Sequence, residues 1–272
     1  MRSCDDKVYK REEIWEQLSA MEAPRTRVVL MHSSLRLIGR VEGGAQGLLD
    51  TLISYFTEEG GLFCVPTHTW SNLRKEITLD LGDPKTCLGA FSDLAAADKR
   101  ALRSENPTHS MAVFGDRKRA EAFVAEEPFI TTGTDPRSCY GKLYAQGGYV
   151  LLAGVAHNKN TYLHCVEEML GIPDRLSAEP VITCVRNREG NLRKQAIHSH
   201  SCSFSKDISQ RFPKYETAFR YHGGIRDGFL GNAPCQLCSA GVMKDVMALI
   251  AERSKGKDPL ADKMAIPPIL YV

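Results

Sequence analysis

The sequence predicts one α/β domain with a mixed sheet and a β-hairpin excursion, and three observations point there. First, the β-branched run RVVLM at 27–31 is followed by a glycine-containing loop, a helical repeat and a second apolar run, LFCV at 62–65. That order is a βαβ crossover, expected to be right-handed and to set its two strands in parallel. Second, the alternation continues: MAVF at 111–114, a helical pattern over 117–126, then the strongly apolar YVLLAGV at 149–155. Third, two strand-like runs at 181–185 and 192–197 flank Arg188-Glu-Gly190-Asn191, a turn composition that reads as a hairpin.

Each element has a local reason. The strand at 27–31 stops at His32-Ser33-Ser34-Leu35, and residues 36–44, with Gly39, Gly43 and Gly44, read as a polar loop. Leu48, Leu49, Leu52, Ile53 and Phe56 recur on one face of a helix. Gly60-Gly61 closes that helix and Pro66 ends the next strand. Residues 161–170 form a helix with Gly171 as C-cap and Pro173 behind it. Further helices are expected around 214–221 and 242–250. Lys255-Gly-Lys-Asp-Pro259 and Pro267-Pro268 predict a loosely ordered tail from about 255. No repeat, low-complexity tract or linker divides residues 1–272, so the whole chain is expected to be a single domain.

Composition narrows the function classes. The chain has 272 residues, 43% hydrophobic and 25% charged, which is ordinary for a soluble globular protein. A formal net charge of +2 is too small to argue for nucleic acid or an anionic membrane as partner. No apolar run approaches the ~20 residues that span a bilayer, and MRSCDDKVYKREEIWEQL carries no signal-peptide core. Small molecules are therefore the expected partners. A homodimer is compatible with the sequence, although no exposed apolar stripe argues for one.

Nine cysteines, an odd number spread from Cys4 to Cys238 without a secretory signal, read as reduced thiols of a cytoplasmic protein. Cys64 and Cys184 sit inside apolar runs, where Cys behaves as a small hydrophobe. The one close pair is Cys235-Gln-Leu-Cys238. With His198, His200 and Cys202 upstream, a His/Cys metal site is an open alternative, but the paired spacing typical of zinc is missing.

Two places can carry chemistry. Gly39, Gly43 and Gly44 precede a helix N-terminus, whose unpaired N–H groups suit an anionic ligand, and Ser33 and Ser34 end the strand before it. The spacing GxxxGG matches neither the dinucleotide nor the nucleoside-triphosphate fingerprint, and a glycine turn before a helix is more often purely structural. The second place is 156–168, AHNKNTYLHCVEE, directly after the most apolar strand. Thr161 is expected to cap the new helix through its hydroxyl. His164 and Glu167, three residues apart, share a helix face, so a carboxylate can orient and support an imidazole acting as general base. A plain surface pair is the alternative. Cys165 points away from its neighbour His164, which argues against a Cys–His dyad, and no GxSxG elbow is present.

HSSLRLIGRVEGGAQGLLDTL, VPTHTW, the run from Arg103 to Gly115 and HNKNTYLHCVEE, in this order and separation, resemble the aminoglycoside 3-N-acetyltransferase family. So do His200, Cys202, Asp207 and FPKYE at 212–216, which resemble the shorter, Firmicute-type members. The likeness runs from about Arg27 to Asp245. It implies a three-layer α/β/α fold with a mixed, largely parallel central sheet, distinct from the GNAT fold. It also implies acetyl-CoA as co-substrate, with no metal required, and transfer to a primary amine, the 3-amino group of a 2-deoxystreptamine aminoglycoside. Carried onto this sequence, the resemblance gives His164 and Glu167 as catalytic residues. Acetyl-CoA falls against Ser33, Ser34, Leu35, Val41, Gly43, Gly44, Thr67 and Ser110, and the acceptor against Thr161, Glu168, Asp207 and His200.

Two departures from the family pattern bear on the acceptor. Asn106-Pro107 stands where many members have His-Pro, with His109 two residues on. After PTH, where members often carry acids, this chain has Thr69-Trp70-Ser71-Asn72-Leu73-Arg74-Lys75. A polycationic acceptor needs carboxylates to replace water at each ammonium, and Glu167, Glu168, Asp135 and Asp207 are the acids left to supply them. Acceptors other than aminoglycosides, a non-catalytic CoA-binding protein and a zinc-dependent hydrolase using the His/Cys set remain the alternatives.

Overall fold

The structure is a computed structural model and describes residues 7–272; Cys4 and the charged N-terminal start lie outside the described residues. In chain order the strands are β1 (Val8–Tyr9), β2 (Val28–Ser33), β3 (Arg40–Val41), β4 (Leu62–Pro66), β5 (Leu79–Asp80), β6 (Leu102–Arg103), β7 (Met111–Phe114), β8 (Tyr149–Ala153), β9 (Val181–Arg186), β10 (Leu192–Ile197), β11 (Ile225–Leu230) and β12 (Ala233–Ser239). The helices are α1 (Arg11–Ala20), α2 (Leu35–Ile38), α3 (Gly44–Thr57), α4 (Ala90–Ala97), α5 (Arg117–Val124), α6 (Cys139–Ala145), α7 (Tyr162–Met169), α8 (Glu216–Tyr221) and α9 (Ala240–Arg253).

A seven-stranded sheet, ordered β11-β12-β8-β2-β4-β7-β6, forms the middle layer. Successive side chains of a strand point to opposite faces, so a continuous apolar run must be covered on both. In β2, Val28 and Leu30 enter one apolar cluster with residues of α5, α6, α7, α8 and α9. Val29 and Met31 enter a second, with residues of α1, α3 and α4. The result is the expected α/β/α sandwich. The expected crossover is present, with β2 and β4 parallel around α3, and β9 and β10 form the hairpin in a separate sheet with β5. Among the described residues, no helix is long and apolar enough to cross a membrane.

Three expectations change. The sheet is mixed, but its parallel part is confined to β8, β2 and β4. The flanking β12, β11, β7 and β6 all pair antiparallel; a two-residue turn joins β11 to β12, while β12 and β7 reach the sheet after long excursions that return the chain in the opposite direction. The polar loop at 36–44 contains one helical turn, α2, and β3, which pairs in parallel with β1. Gly154, at φ +67°, permits α2 to lie against the end of β8; a Cβ there would stand 2.9 Å from the Leu37 Cβ.

The third change concerns the tail, which is packed. Leu260, Ile266 and Tyr271 are buried in the helix-side core. Lys214 Nζ donates to the Pro259 carbonyl at 2.6 Å, and Arg253 Nη1 to that of Val272 at 2.7 Å. Lysines, prolines and a glycine interrupt the segment, and the anchoring apolar residues are too irregularly spaced to show a period. Leu260→Ala, at a fully buried position, is expected to cost about 2–5 kcal/mol. The measurement is a lowered denaturant midpoint at unchanged m; a loose tail would leave the midpoint where it is.

Candidate active site

Because β2, β4 and β8 are parallel, their carboxyl ends meet at one edge of the sheet, where open α/β sheets offer a crevice. A cleft of about 860 Å³ opens there. Its walls come from His32 to Leu35 at the end of β2, from His68 and Trp70 after β4, and from 158–161 with His164 after β8. The segments 197–202 and 205–209 close the outer side. As β7 runs antiparallel to β4, its start lies at the same edge and delivers Thr108 and His109.

His164 stands at the third position of α7 and lines the cleft. Glu167, one turn on, is buried, with its Oε2 3.8 Å from His164 Nδ1. Among the described residues that oxygen has no hydrogen-bond partner, while Oε1 accepts from Arg175 Nε at 2.6 Å. The carboxylate is thus pinned by one oxygen and offers the other to the imidazole. This geometry favours the tautomer with the proton on Nδ1, leaving Nε2 as acceptor. Burial, reinforced by His200, Arg175 and His68, holds the His164 imidazolium well below its ordinary range. Burial pushes the Glu167 carboxyl up to about 7, against the pull of Arg175. At neutral pH the imidazole is free to take a proton, and its carboxylate partner is poised at the edge of ionisation.

A row of imidazoles continues from His164. The His200 ring stacks on it at 4.1 Å and 11°, and Phe212 meets it edge-on at 4.8 Å. His200 Nε2 lies 2.8 Å from Thr134 Oγ1, whose hydroxyl donates to Glu168 Oε1 at 2.5 Å. His109 lies 5.2 Å from His200 and His68 4.6 Å from His109, and the Tyr140 hydroxyl is 2.7 Å from His68 Nε2. Burial and neighbouring imidazoles hold His68 and His109 well below the ordinary histidine range.

The structure brings Ser33, Ser34, Leu35, Thr161, His164, His200 and Asp207 to the cleft. It does not bring there the other residues implied by the resemblance. Thr67 and Ser110 are fully buried behind the wall, their hydroxyls 2.9 Å apart. Val41 is buried in β3, and Gly43 and Gly44 start α3 with left-handed backbone at φ +73° and +65°. Glu168 sits behind Thr132 and Thr134, which both donate to it at 2.5 Å. Asp135 is held by Arg137 and Thr131. Thr161 caps nothing with its side chain, because its own backbone is already helical at φ −59°, ψ −25°.

The Cys-x-x-Cys pair does not form a chelate. Cys235 and Cys238 lie three apart on β12, so they point to opposite faces, one into each apolar cluster. His68, Tyr140 and Arg175 were missed in the sequence. His68 stands in VPTHTW immediately after a strand end, a position that marks it; nothing local marks Arg175. Asn106, one of the departures, is scaffold: its Oδ1 accepts from the backbone N–H groups of Thr108 and His109, fixing the turn that presents His109.

The model of the aminoglycoside 3-N-acetyltransferase family matches residues 30–251. The chain belongs to that family. It is 25% identical over 249 residues to the SPbeta prophage-derived aminoglycoside N(3')-acetyltransferase-like protein YokD of Bacillus subtilis, covering 84% of this chain and 87% of the relative. It is 27% identical over 254 residues to aminoglycoside N(3)-acetyltransferase IV of Salmonella sp, covering 93% and 89%. Among solved structures, AAC-IIIb in a binary complex with CoASH shares the fold, with a TM-score of 0.75 at 20% identity over 91% of this chain and 98% of that one. For a 3-N-acetyltransferase of this family, the chemistry calls for a group in the crevice that can take the proton of the amine.

Proposed function

We propose that the protein transfers acetyl from acetyl-CoA to an aminoglycoside, at the 3-amino group of its 2-deoxystreptamine ring, with His164 as general base and Glu167 as its orienting partner. The observation that carries this reading is the neutral imidazole at the cleft wall, backed by a buried carboxylate with one free oxygen. The amine nitrogen bonds to the thioester carbonyl carbon, and His164 Nε2 takes the proton that the nitrogen must lose. The C–S bond then breaks, and the proton passes to the departing thiolate, giving CoASH. No covalent enzyme intermediate is needed, so Cys165, buried in the core, is a bystander. Ser33, Ser34 and Leu35 are the residues proposed to meet acetyl-CoA; Thr161, His200 and Asp207 are proposed to meet the acceptor.

The test is CoA-thiol release from acetyl-CoA with a panel of aminoglycosides, alongside growth of cells expressing the protein on the same drugs. Acceptor-dependent release with matching resistance supports the reading; no release with any member overturns the acceptor. A second reading, transfer to a less charged amine, is favoured by one observation. Among the described residues lining the cleft the one acid is Asp207, against Lys159 and Lys206, and its carboxylate is already engaged by Ser209 and Gln210. The segment after PTH, which departs from the acidic family pattern, gives the cleft Trp70 and Leu73. Mono- and diamines belong in the same panel.

A further inference from the structure

We propose that Arg175 and Asp258 are positioning residues for acetyl transfer, through which the C-terminal segment aims Glu167 at the catalytic imidazole. The proposal rests on the reading of His164 and Glu167 given above and extends it to two residues outside the cleft. Arg175 is buried and its guanidinium is almost fully used. Nε donates to Glu167 Oε1 at 2.6 Å, Nη1 to the carbonyls of Pro173 and Asp174 at 3.2 Å each, and Nη2 to Asp258 Oδ2 at 2.5 Å. Asp258 Oδ1 accepts from the backbone N–H of Leu260 at 2.8 Å, and Leu260 is itself fully buried. A continuous chain therefore runs from a core anchor of the tail through Asp258 and Arg175 to Glu167.

The fork geometry matters. Bonding through Nε fixes one carboxylate oxygen and so fixes where the other points, which is toward His164 Nδ1. A lysine, with a single ammonium on a flexible stem, can supply the charge but not the aim. The charges are also matched to the reaction. Glu167, Arg175 and Asp258 together carry one net negative charge when ionised, and that charge is neutralised when His164 takes the proton of the amine. The other groups facing the pair are Glu168 on α7, Tyr215 beside Glu167, and His200 and His68 beside His164. None of them is bonded to the free oxygen of Glu167.

Arg175 and Asp258 act on the Glu167 carboxyl with opposite signs, Arg175 lowering it and Asp258 raising it. This gives a test that a merely structural role would not pass. Rates at saturating acceptor are measured against pH for wild type, Arg175→Gln, Arg175→Lys and Asp258→Asn, with His164→Ala as control and melting curves for each. Arg175→Gln is expected to lower kcat roughly tenfold or more and to move the acid limb of the profile upward by about one unit. Arg175→Lys returns the limb toward its wild-type position but recovers only part of kcat. Asp258→Asn lowers kcat and moves the limb downward. If Arg175→Gln does not fold, the lysine and asparagine variants decide. Limbs that stay put, or that move the same way in folded Arg175 and Asp258 variants, overturn the proposal. A His164→Ala control that turns over like wild type instead overturns the proposed function on which it rests.

Discussion

His164→Ala is expected to reduce acetyl transfer by about 10²–10⁴-fold, the range lost when a positioned general base is removed. The loss falls on kcat, because the proton of the amine then has no acceptor at the moment the C–N bond forms. Binding of CoA, followed by protection against thermal unfolding, stays near wild type, since Ser33 to Leu35 line a different wall of the cleft. Folding is little disturbed. The His164 ring lines the cleft and contacts His200 and Phe212, and among the described residues its nearest polar partner is Glu167 Oε2, 3.8 Å away and beyond hydrogen-bond distance. The check is a full kinetic comparison with calorimetry of CoA binding on both proteins. Loss of CoA binding in parallel with kcat would mean that the imidazole holds the donor rather than moving a proton.

Glu167→Gln is expected to cost roughly 10²-fold or more, and by a different route. The Gln amide can present its N–H₂ to Nδ1, which favours the tautomer with the proton on Nε2 and removes the lone pair that faces the acceptor. The pH profile separates this from simple damage. In the wild type Glu167 must be ionised to support an imidazolium, and its carboxyl is pushed up to about 7. The rate therefore climbs as pH rises through about 7 and levels above it. His164, held well below its ordinary range by burial, is already neutral there and adds no limb. Glutamine does not titrate, so with the same acceptor the limb near 7 disappears and only the titration of the acceptor remains. An unaltered limb in the variant would assign it to another group.

These two residues were legible in the sequence because their relation is local. His164 and Glu167 are three apart in a helix whose start follows a strongly apolar strand, and helix geometry alone places them together. The strands β2, β4 and β8 were legible for a similar reason, as unbroken apolar runs closed by polar or proline residues. What could not be read depends on contacts far apart in the chain. Arg175 meets Asp258 across 83 residues and Glu167 across 8, with no periodic pattern to announce either pairing. His68 and His109 come from separate connections and meet because β4 and β7 run in opposite directions, and His200 joins them from the segment after β10, far away in the chain. The tail was misjudged because lysines, a glycine and prolines break it into pieces without a period, while Leu260, Ile266 and Tyr271 are buried one at a time. Thr67 and Ser110 show the converse. The resemblance put them near the donor; in the structure they are buried inside the wall, with Ser110 Oγ donating to the Thr67 carbonyl at 2.7 Å and the two hydroxyls 2.9 Å apart, as a buried polar group needs a partner.

The most direct measurement of the central claim is the structure of the product. The protein is incubated with acetyl-CoA and a 2-deoxystreptamine aminoglycoside, and the product is examined by mass spectrometry and by NMR at each amino-bearing carbon. A single acetyl group on the 3-amino nitrogen, formed by wild type and absent with His164→Ala, is the predicted result. Acetylation at a different nitrogen, or the same product formed equally by the His164→Ala variant, would contradict the account.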